Sequence, residues 1–404
     1  MKKILWLSHF LPYPPKGGML QRSYNLLKEV SKNHEVTLLA FNQSKLCATK
    51  ADAENAFKHL GEFCKIAGLV DIESEKSSFN KLKLLLGGFL PGRTYTLDWL
   101  KSSNYSQVLA DTLGLEKFDI IHVDTISLVP YVMNLNAYKR VLNHHNIESL
   151  MLLRRSQNEK NMLKKLYFFY EGIKLKKYEK KVCPVFNLNI TCSNLDSERL
   201  NSFSPSSQCL DIPNGVDLAY FKSACSTAIE KSIIFAGGLS WYPNLDAMTF
   251  FLKEVWPRLS QEVSDVTMTV VGRSPALWMT ELQNVYPNLK VTGFVDDIRP
   301  YFDAAFLYVC PIRDGGGTKL KVLDALAMKK TLISHSIACE GIDVVENESV
   351  VFAETADEYI NQIKSLFDNR ARALMIAENG YKVVSEKYDF VKVGERLSSA
   401  YENL

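Results

Sequence analysis

The sequence predicts an α/β protein of two domains, each built on a parallel β-sheet. Short β-rich runs alternate with helical patterns along the chain, which is typical of parallel sheets with helices on both faces. The length of 404 residues exceeds what one hydrophobic core usually supports. A turn-rich break at 212–217 and a weakly patterned connector at 223–231 separate two series of strands. We therefore predict an N-terminal domain over 1–212, a C-terminal domain over 213–385 and a last helix within 386–404.

The predicted strands are the β-rich apolar runs. In the first domain they lie at 4–8, 35–41, 120–123, 140–143 and 188–192. In the second domain they lie at 232–236, 267–271, 290–292, 305–309, 331–334 and 350–352. Helical patterns predict a helix at 20–31, one long helix near 150–181, a helix at 319–328 and a final helix at 390–402 that no strand follows.

The composition excludes several classes of protein. Apolar residues make up 47% and charged residues 23% of the chain, as in ordinary soluble proteins. The formal charge of +3 is too small to indicate nucleic-acid binding, and no motif for it occurs. Eight scattered cysteines without a CxxC pair favour core thiols in a reducing compartment. Ser8, His9 and Pro12 interrupt the first apolar run, which predicts a buried strand rather than a signal peptide, and no run is long enough to span a bilayer.

The stretch 314–324 is the most informative motif. Three glycines follow an apolar run, Lys319 and Lys321 lie in the first turn of the predicted helix, and Asp324 follows one turn later. The free N–H groups and partial positive charge of a helix N-terminus attract phosphate. Glycines let a phosphate approach the backbone, and lysines add full charges. With Asp324 as an acceptor for ribose hydroxyls, this pattern predicts a nucleoside diphosphate site.

A glycine pair at Gly17-Gly18 follows the first predicted strand. In open α/β sheets, ligands bind beyond the carboxyl ends of strands, so this pair can let substrate approach the backbone. The alternative is a plain turn with prolines. The pattern is not GxGxxG, which disfavours a nicotinamide-dependent dehydrogenase. Farther along, Asp296 or Asp297 is better explained as a helix cap than as part of a metal site.

The segment 144–148 also follows a predicted strand. His145, and less so His144, can transfer a proton or bind a hydroxyl, with Asn146 and Glu148 orienting the ring or binding sugar hydroxyls. The spacing HHxxE differs from the helical HExxH of zinc enzymes. The alternative is a structural histidine pair.

The segment 154–181 is basic, with ten Lys or Arg and three Glu. Apolar residues recur in it at helical spacing: Met162, Leu166, Phe169 and Ile173. A solvated cationic face on a domain helix is the simpler interpretation, and attraction to an anionic membrane surface is the alternative. The basic apolar run at 81–90 is either a second membrane contact or core.

Taken in order, these motifs resemble those of family-four-type, GT-B-fold retaining glycosyltransferases. The resemblance covers nearly the whole chain and is strongest from 212 to 341. The motifs that carry it are the 213–217 turn, Gly237-Gly238, Pro243-Asn244, Gly272, the 293–297 segment and 317–327, with Gly17-Gly18 and 144–148 in the acceptor half.

The resemblance implies two Rossmann-like domains facing across a cleft, with the nucleotide sugar on the second domain and most of the acceptor on the first. It also implies a last helix that returns to the N-terminal domain, and transfer with retention that needs no metal or cofactor. The implied donor-binding residues are Gly17, Gly18, Gly238, Arg273, Phe294, Gly316, Gly317, Thr318 and Asp324. The implied acceptor-binding residues are His144, Asn146 and Glu148, and the implied catalytic residues are His145, Lys319 and Lys321.

The chain departs from the family pattern in the donor site. Where many members have Glu-x7-Glu, this sequence has Gly316 and Asp324, so the first position offers no side chain to the sugar. Many members also place Arg and Lys after the first strand of the second domain, where Gly238 and about Pro243 stand here. We expect Lys319 and Lys321, helped by Arg273, to supply the charge that a leaving diphosphate requires.

The leading functional hypothesis is therefore transfer of a hexose-type sugar from a nucleoside diphosphate to a polysaccharide or lipid-linked acceptor. The alternatives are a sugar-nucleotide epimerase or phosphorylase of the same architecture, and a non-catalytic sugar-nucleotide-binding partner, which Gly316 favours. We expect a cytoplasmic location and no nucleic-acid partner. A peripheral location on the inner face of the membrane is the alternative.

Overall fold

The structure is a computed structural model that describes residues 1–15, 18–43, 46–90, 92–223, 228–314 and 318–404. It divides the chain into two compact units. One unit comprises Met1–Pro213 with Val391–Leu404, and the other comprises Asn214–Phe390. Each unit has its own parallel sheet, which confirms the predicted α/β fold class.

The N-terminal unit is built on a seven-stranded sheet. Its strands are β1 Lys3–Ser8, β2 Glu35–Asn42, β3 Lys65–Asp71, β4 Ile120–Val123, β5 Lys139–Asn143, β6 Leu188–Thr191 and β7 Cys209–Asp211. All neighbours pair in parallel, in the order β3-β2-β1-β4-β5-β6-β7. Its helices are α1 Gly18–Val30, α2 Lys50–Leu60, α3 Ser78–Gly87, α4 Tyr95–Asp98, α5 Ser103–Leu115, α6 Glu148–Asn158, α7 Met162–Val182 and α8 Asn194–Phe203.

The C-terminal unit has a six-stranded sheet. Its strands are β8 Ser232–Ala236, β9 Thr267–Val271, β10 Leu289–Gly293, β11 Leu307–Cys310, β12 Thr331–Ser334 and β13 Val351–Phe352. They pair in parallel in the order β10-β9-β8-β11-β12-β13. Its helices are α9 Tyr242–Phe250, α10 Trp256–Glu262, α11 Leu277–Glu281, α12 Arg299–Ala304, α13 Leu320–Ala327, α14 Ala356–Asp368 and α15 Arg370–Lys387, and α16 Phe390–Glu402 ends the chain.

The strand order of each sheet reverses beside its first strand. In the N-terminal unit this happens between β1 and β4, and in the C-terminal unit between β8 and β11. At such a switch point the connections leave to opposite sides, which opens a crevice beyond the carboxyl ends of the strands. The candidate site residues of each unit lie at these ends.

The structure corrects three sequence predictions. Strands β3 and β7 were not predicted, because β3 is a partly buried outer strand that mixes Lys, Gly and Asp with apolar residues and β7 has only three residues. The single long helix predicted near 150–181 is wrong. The chain forms α6 and α7 instead, because the Asn161 side chain accepts the Lys164 amide at 3.1 Å and so begins a new helix.

The final helix α16 packs into the core of the N-terminal unit. Its fully buried residues there are Val393, Leu397 and Tyr401. A Cβ added at Gly394 would lie 2.2 Å from the Glu29 Cβ, so α1 and α16 approach as closely as they do because this position is glycine. The chain therefore begins and ends in the same unit.

The described cysteines are free thiols, and most of them are buried. Cys225 lies outside the described residues. Within the parts of the chain that the structure describes, none of the helices combines the length and the apolar character needed to cross a bilayer.

Candidate functional site

The first cluster of site residues lies at the carboxyl ends of β8 and β9, where glycines line the strand ends. The Gly237 amide donates to the Val271 carbonyl at 2.9 Å. A Cβ at Gly272 would lie 1.8 Å from the Gly237 carbonyl oxygen, so no side chain fits there without moving the backbone. A Cβ at Gly238 would lie 3.8 Å from the Arg273 Nε, which places the guanidinium of that exposed arginine beside the second glycine.

Lys321 reaches these strand ends from α13. Its ammonium donates to the Asn244 Oδ1, and the Asn244 Nδ2 donates to the Gly238 carbonyl at 2.7 Å. The Nζ also lies 5.1 Å from the centroid of the Phe235 ring. Partial burial lowers the pKa of Lys321 to about 8, and the nearby Lys319 also lowers it. The lysine is therefore held in place by Asn244, and nearby groups balance its positive charge only in part. An anion bound beside it would balance the rest of that charge.

Lys319 precedes Lys321 and Asp324 follows it along the chain. Lys319 is the N-cap residue rather than part of the first turn, so the helix begins at Leu320 and not at 319 as predicted. Burial raises the pKa of Asp324 to about 8, although Lys321 acts in the opposite direction. Burial thus disfavours the charged form of Asp324, and Lys321 favours it.

Other predicted donor residues lie near the same edge or outside the described residues. Phe294 is exposed and directly follows Gly293, which has a φ of 73°. Thr318 is buried, and its carbonyl accepts from the Asn214 Nδ2 at 3.3 Å. The predictions on Gly17, Gly316 and Gly317 concern positions that the structure does not describe.

The predicted cap at Asp296 or Asp297 is confirmed in part, since the Asp297 side chain accepts the first amide of α12. The N-cap of α12 is Ile298, which makes no side-chain cap bond. Asp297 accepts the Arg299 amide at 2.9 Å and also pairs with the Arg299 guanidinium, whose Nη2 lies 2.7 Å from Oδ2. That guanidinium stacks 4.1 Å from the Tyr220 ring centroid. The carboxylate thus belongs to an ion pair, and the hydrogen bond from Arg299 lowers its pKa.

The second cluster lies in the N-terminal unit, where β1, β4 and β5 end. His9, Asp124 and His145 are buried there, and one potential ligand atom from each lies within 4.8 Å of the others. The His145 Nε2 is 3.2 Å from the Asp124 Oδ1. The same Oδ1 accepts from the Asn143 Nδ2 at 2.6 Å, and Oδ2 accepts from the Ser23 hydroxyl at 2.7 Å. These contacts orient the carboxylate toward His145.

The electrostatics of this cluster favour a charged aspartate. Burial opposes ionisation of Asp124, but His145 and His122 hold its pKa well below the usual range. Burial lowers the pKa of His9 to about 3, and His145 lowers it further. A carboxylate beside an imidazole selects one tautomer and stabilises the ring when it gains a proton.

The partner of His145 differs from the sequence interpretation. Asn146 and Glu148 were expected to orient its ring, but Asp124 occupies that position. Glu148 begins α6, and burial raises its pKa to about 7, with a smaller contribution from Glu179. The prediction fails here because the backbone turns into a helix after Ile147, which carries the Glu148 side chain toward α7.

His144 points into the core rather than toward the cluster. It is 2% exposed, its Nε2 lies 3.2 Å from the Asn189 Oδ1, and burial lowers its pKa to about 4. His144 therefore has the structural role that the sequence analysis gave as the alternative. The prediction that His144 binds the acceptor is wrong. Successive residues of an extended strand end point to opposite faces, which explains why only His145 meets Asp124.

Sequence reasoning missed His9 and Asp124, and it found no cluster of metal ligands. Both residues directly follow an apolar strand, and that position was the available signal. His9, Asp124 and His145 are side chains that can ligate a metal. Both oxygens of Asp124 already accept hydrogen bonds, whereas the buried His9 Nδ1 and His145 Nε2 have no hydrogen-bond partner among the described residues.

A cavity of about 760 Å³ in the N-terminal unit lies apart from these residues. It is lined by α4, α5 and their surroundings, including Arg93, Tyr131 and Tyr178. Among the residues that the structure describes, none of the candidate catalytic or binding residues lines it. The chemistry of the strand ends, rather than the size of this cavity, therefore identifies the candidate site.

Comparison with known families adds to this picture for part of the chain. Residues 230–369, which include the whole first cluster from Phe235 to Asp324, match the family described as Glycosyl transferases group 1. The glycine-lined strand ends and the start of α13 thus lie inside the matched region.

The chain also resembles other proteins over its whole length. It is 25% identical to a Klebsiella pneumoniae protein described as an uncharacterized 44.6 kDa protein in a cps region, and the match covers 97% of this chain and 98% of that protein. Its structure is similar to sucrose-phosphate synthase from Thermosynechococcus elongatus, with a TM-score of 0.71, 13% identity and coverage of 100% and 99%. It is also similar to Anabaena HepE in complex with UDP and glucose, with a TM-score of 0.69, 14% identity and full coverage of both chains. These structures confirm the GT-B fold.

Proposed function

We propose that this chain is a glycosyltransferase that moves a hexose-type sugar from a nucleoside diphosphate to a polysaccharide or lipid-linked acceptor, with retention and without a metal. The observation that carries the proposal is Lys321, held by Asn244 beside a glycine-lined strand end. Two neighbours support it: HepE is described with UDP and glucose, and the Klebsiella relative is described by its cps region. We further propose that the enzyme works in the cytoplasm, at the inner face of the membrane.

The C-terminal unit is proposed to bind the donor. The diphosphate would approach the backbone at Gly238 and accept hydrogen bonds from Lys321, with Lys319 and Arg273 adding positive charge. Positive groups that are already in place stabilise the charge that develops on a leaving diphosphate, and they need no reorganisation during the reaction. Asp324 would bind the ribose hydroxyls, because a carboxyl group accepts hydrogen bonds from hydroxyls.

The N-terminal unit is proposed to act on the acceptor. With Asp124 beside Nε2, His145 is expected to carry its proton there and to leave Nδ1 free to accept one from a hydroxyl. Asp124 would stabilise the imidazolium that results. Asp124 is therefore a positioning residue, whereas His145 is the candidate catalytic base.

Product analysis tests the proposal against its alternatives. Transfer predicts release of nucleoside diphosphate and formation of a new glycoside only when an acceptor is present. An epimerase would release a free sugar without acceptor, and a non-catalytic partner would bind the donor without turnover. Binding without turnover across a panel of sugar donors and acceptors would contradict the proposal.

A further inference from the structure

The N-terminal unit carries a large exposed apolar surface on α3 and α7, which we call the α3–α7 patch. It comprises exposed side chains from residues 79–90 and 162–170: Phe79, Leu82, Leu85, Leu86, Phe89, Leu90, Met162, Leu163, Leu166, Phe169 and Tyr170. Phe79 is 73% exposed and Leu163 is 80% exposed. Contiguous apolar surface of this kind marks a binding site for a protein or a membrane.

The two segments are joined to each other. The Phe89 and Tyr167 rings pack with their centroids 5.5 Å apart. Behind them, the Lys174 ammonium donates to the Arg93 carbonyl at 2.6 Å and to the Gly88 carbonyl. The Tyr95 amide donates to the buried Glu171 carboxylate at 2.8 Å. These bonds fix the end of α3 against α7, so the patch is a formed surface.

The exposure of the patch distinguishes the two interpretations of segment 154–181, which were an ordinary domain helix and a membrane-binding helix. If the apolar stripe in that segment were the inner face of an ordinary domain helix, its members would be buried. Met162, Leu166 and Phe169 are instead 65%, 59% and 52% exposed, and only Ile173 is partly covered. The 81–90 run is likewise not core, apart from Leu84 and the glycines.

Basic residues surround the apolar ones. Lys81 and Lys83 flank Leu82 on α3, and further lysines surround the start of α7: Lys160, Lys164 and Lys165. Within the described residues, no ion pair joins any of these five lysines to a carboxylate. The neighbouring acid Glu159 instead accepts the Asn161 amide at 3.0 Å. The long lysine side chains can lie along an apolar surface while their charges stay in water.

We propose that the α3–α7 patch docks on an anionic lipid bilayer, with its apolar side chains in the interface and its lysines at the headgroups. Stable binding to such a surface usually requires both insertion of apolar side chains and attraction between basic side chains and anionic headgroups. A protein partner would more often meet an interface depleted in lysine. The proposal deepens the membrane location proposed above, but its test needs neither donor nor acceptor.

Vesicle sedimentation of the full chain tests the proposal. Wild-type protein should bind vesicles of mixed phosphatidylglycerol and phosphatidylcholine, bind pure phosphatidylcholine much more weakly, and lose affinity as salt rises. The combined substitutions Phe79→Ser, Leu82→Ser and Leu163→Ser should abolish binding. The combined substitutions Lys81→Gln, Lys83→Gln and Lys164→Gln should weaken it by at least about tenfold, since each lysine near an anionic surface contributes roughly fivefold.

Matched controls separate the patch from general effects. Leu115→Ser, Leu277→Ser and Val285→Ser remove equally exposed apolar groups elsewhere. Lys58→Gln, Lys101→Gln and Lys117→Gln give the same net charge as the lysine variant. Both control proteins should bind anionic vesicles like wild type, and all variants should keep the thermal stability of wild type.

Absence of vesicle binding by the wild-type chain would overturn the proposal. An equal loss of vesicle binding in the patch variants and the control variants would overturn it as well. If the wild type instead self-associated in sedimentation velocity, and the apolar patch variant did not, the patch would be a contact between two copies. UDP binding by calorimetry, measured on the same proteins, reports separately on the donor site.

Discussion

Lys321 and Asn244 are joined by a hydrogen bond at the end of the first strand of the C-terminal sheet, although one lies on α13 and the other on α9. The same asparagine is bonded to the Gly238 carbonyl. An anchored asparagine therefore sets the position of a lysine whose pKa is lowered to about 8 by burial. A phosphate bound there would stabilise the charged form of the lysine, and the charged lysine would in turn stabilise the bound phosphate.

Gly237→Ala should weaken nucleoside diphosphate binding while leaving the fold intact. The new Cβ would lie 2.8 Å from the Lys321 Nζ, which is the mobile end of a side chain, so the ammonium would move and the backbone would not. We expect a loss of affinity of about tenfold in calorimetry, as for one weakened charge-assisted bond. Gly114→Ala in α5, where a new Cβ would meet nothing within 4 Å, is the matched control. Equal affinity for the wild type and Gly237→Ala would be evidence against the assigned position of the diphosphate.

His145→Ala should lower turnover by at least about tenfold with little change in nucleotide affinity, because positioned proton transfer contributes roughly 10²–10⁴-fold in rate. Steady-state kinetics and calorimetry on the same preparation measure the two effects. His144→Ala is the control, for which we expect lower thermal stability because its ring is bonded in the core. A well-folded His145→Ala enzyme with wild-type turnover would remove the catalytic role.

Glu148→Gln should reduce the dependence of stability on pH. Burial raises the pKa of both Glu148 and Glu179 to about 7, above the ordinary value of 4.5. Folding therefore favours the protonated forms, and their contribution to stability is present at pH 4 and is lost as the pH rises through about 7. At pH 8 we expect Glu148→Gln to raise the free energy of unfolding by about 1–3 kcal/mol. Urea unfolding at pH 5 and pH 8 measures this.

The exposed Glu54, which forms only a surface pair with Lys50, provides the control substitution Glu54→Gln. It should change stability little at either pH. An equal loss of stability at both pH values in Glu148→Gln would contradict the raised pKa of Glu148. That result would indicate a lost contact rather than the removal of an unfavourable buried charge.

Activity should survive removal of divalent metal. The lysines at α13 can neutralise a leaving diphosphate without a metal ion. Turnover after EDTA treatment and dialysis, with elemental analysis of the protein, is the measurement. Loss of turnover that zinc, magnesium or manganese restores, and that His9→Ala mimics, would identify the His9–Asp124–His145 cluster as a metal site instead.

The fold and the candidate site differ in how far the sequence predicts them. Strands such as Ile120–Val123 and Thr331–Ser334 are predicted to the residue, because each is a short, fully buried run with adjacent apolar residues at its centre or start. The outer strand Lys65–Asp71 escapes prediction because one side of it is only partly covered. His145 is a candidate from its position after a strand. Its partner Asp124 also follows a predicted strand, but the sequence does not show that the two residues meet, because their contact depends on which strands become neighbours.

The central claim is that Lys321 binds the donor diphosphate. A thermal-shift screen with several nucleoside diphosphates first identifies the base, since a ligand bound only by the folded state raises its apparent stability. Calorimetry with that nucleotide then compares the wild type with Lys321→Ala and with Lys364→Ala, which loses only a surface ion pair to Glu262. We predict about 10- to 100-fold weaker binding for Lys321→Ala and no change for Lys364→Ala, given about 1.5–3 kcal/mol for a charge-assisted hydrogen bond. Unchanged affinity in a folded Lys321→Ala protein would contradict the claim.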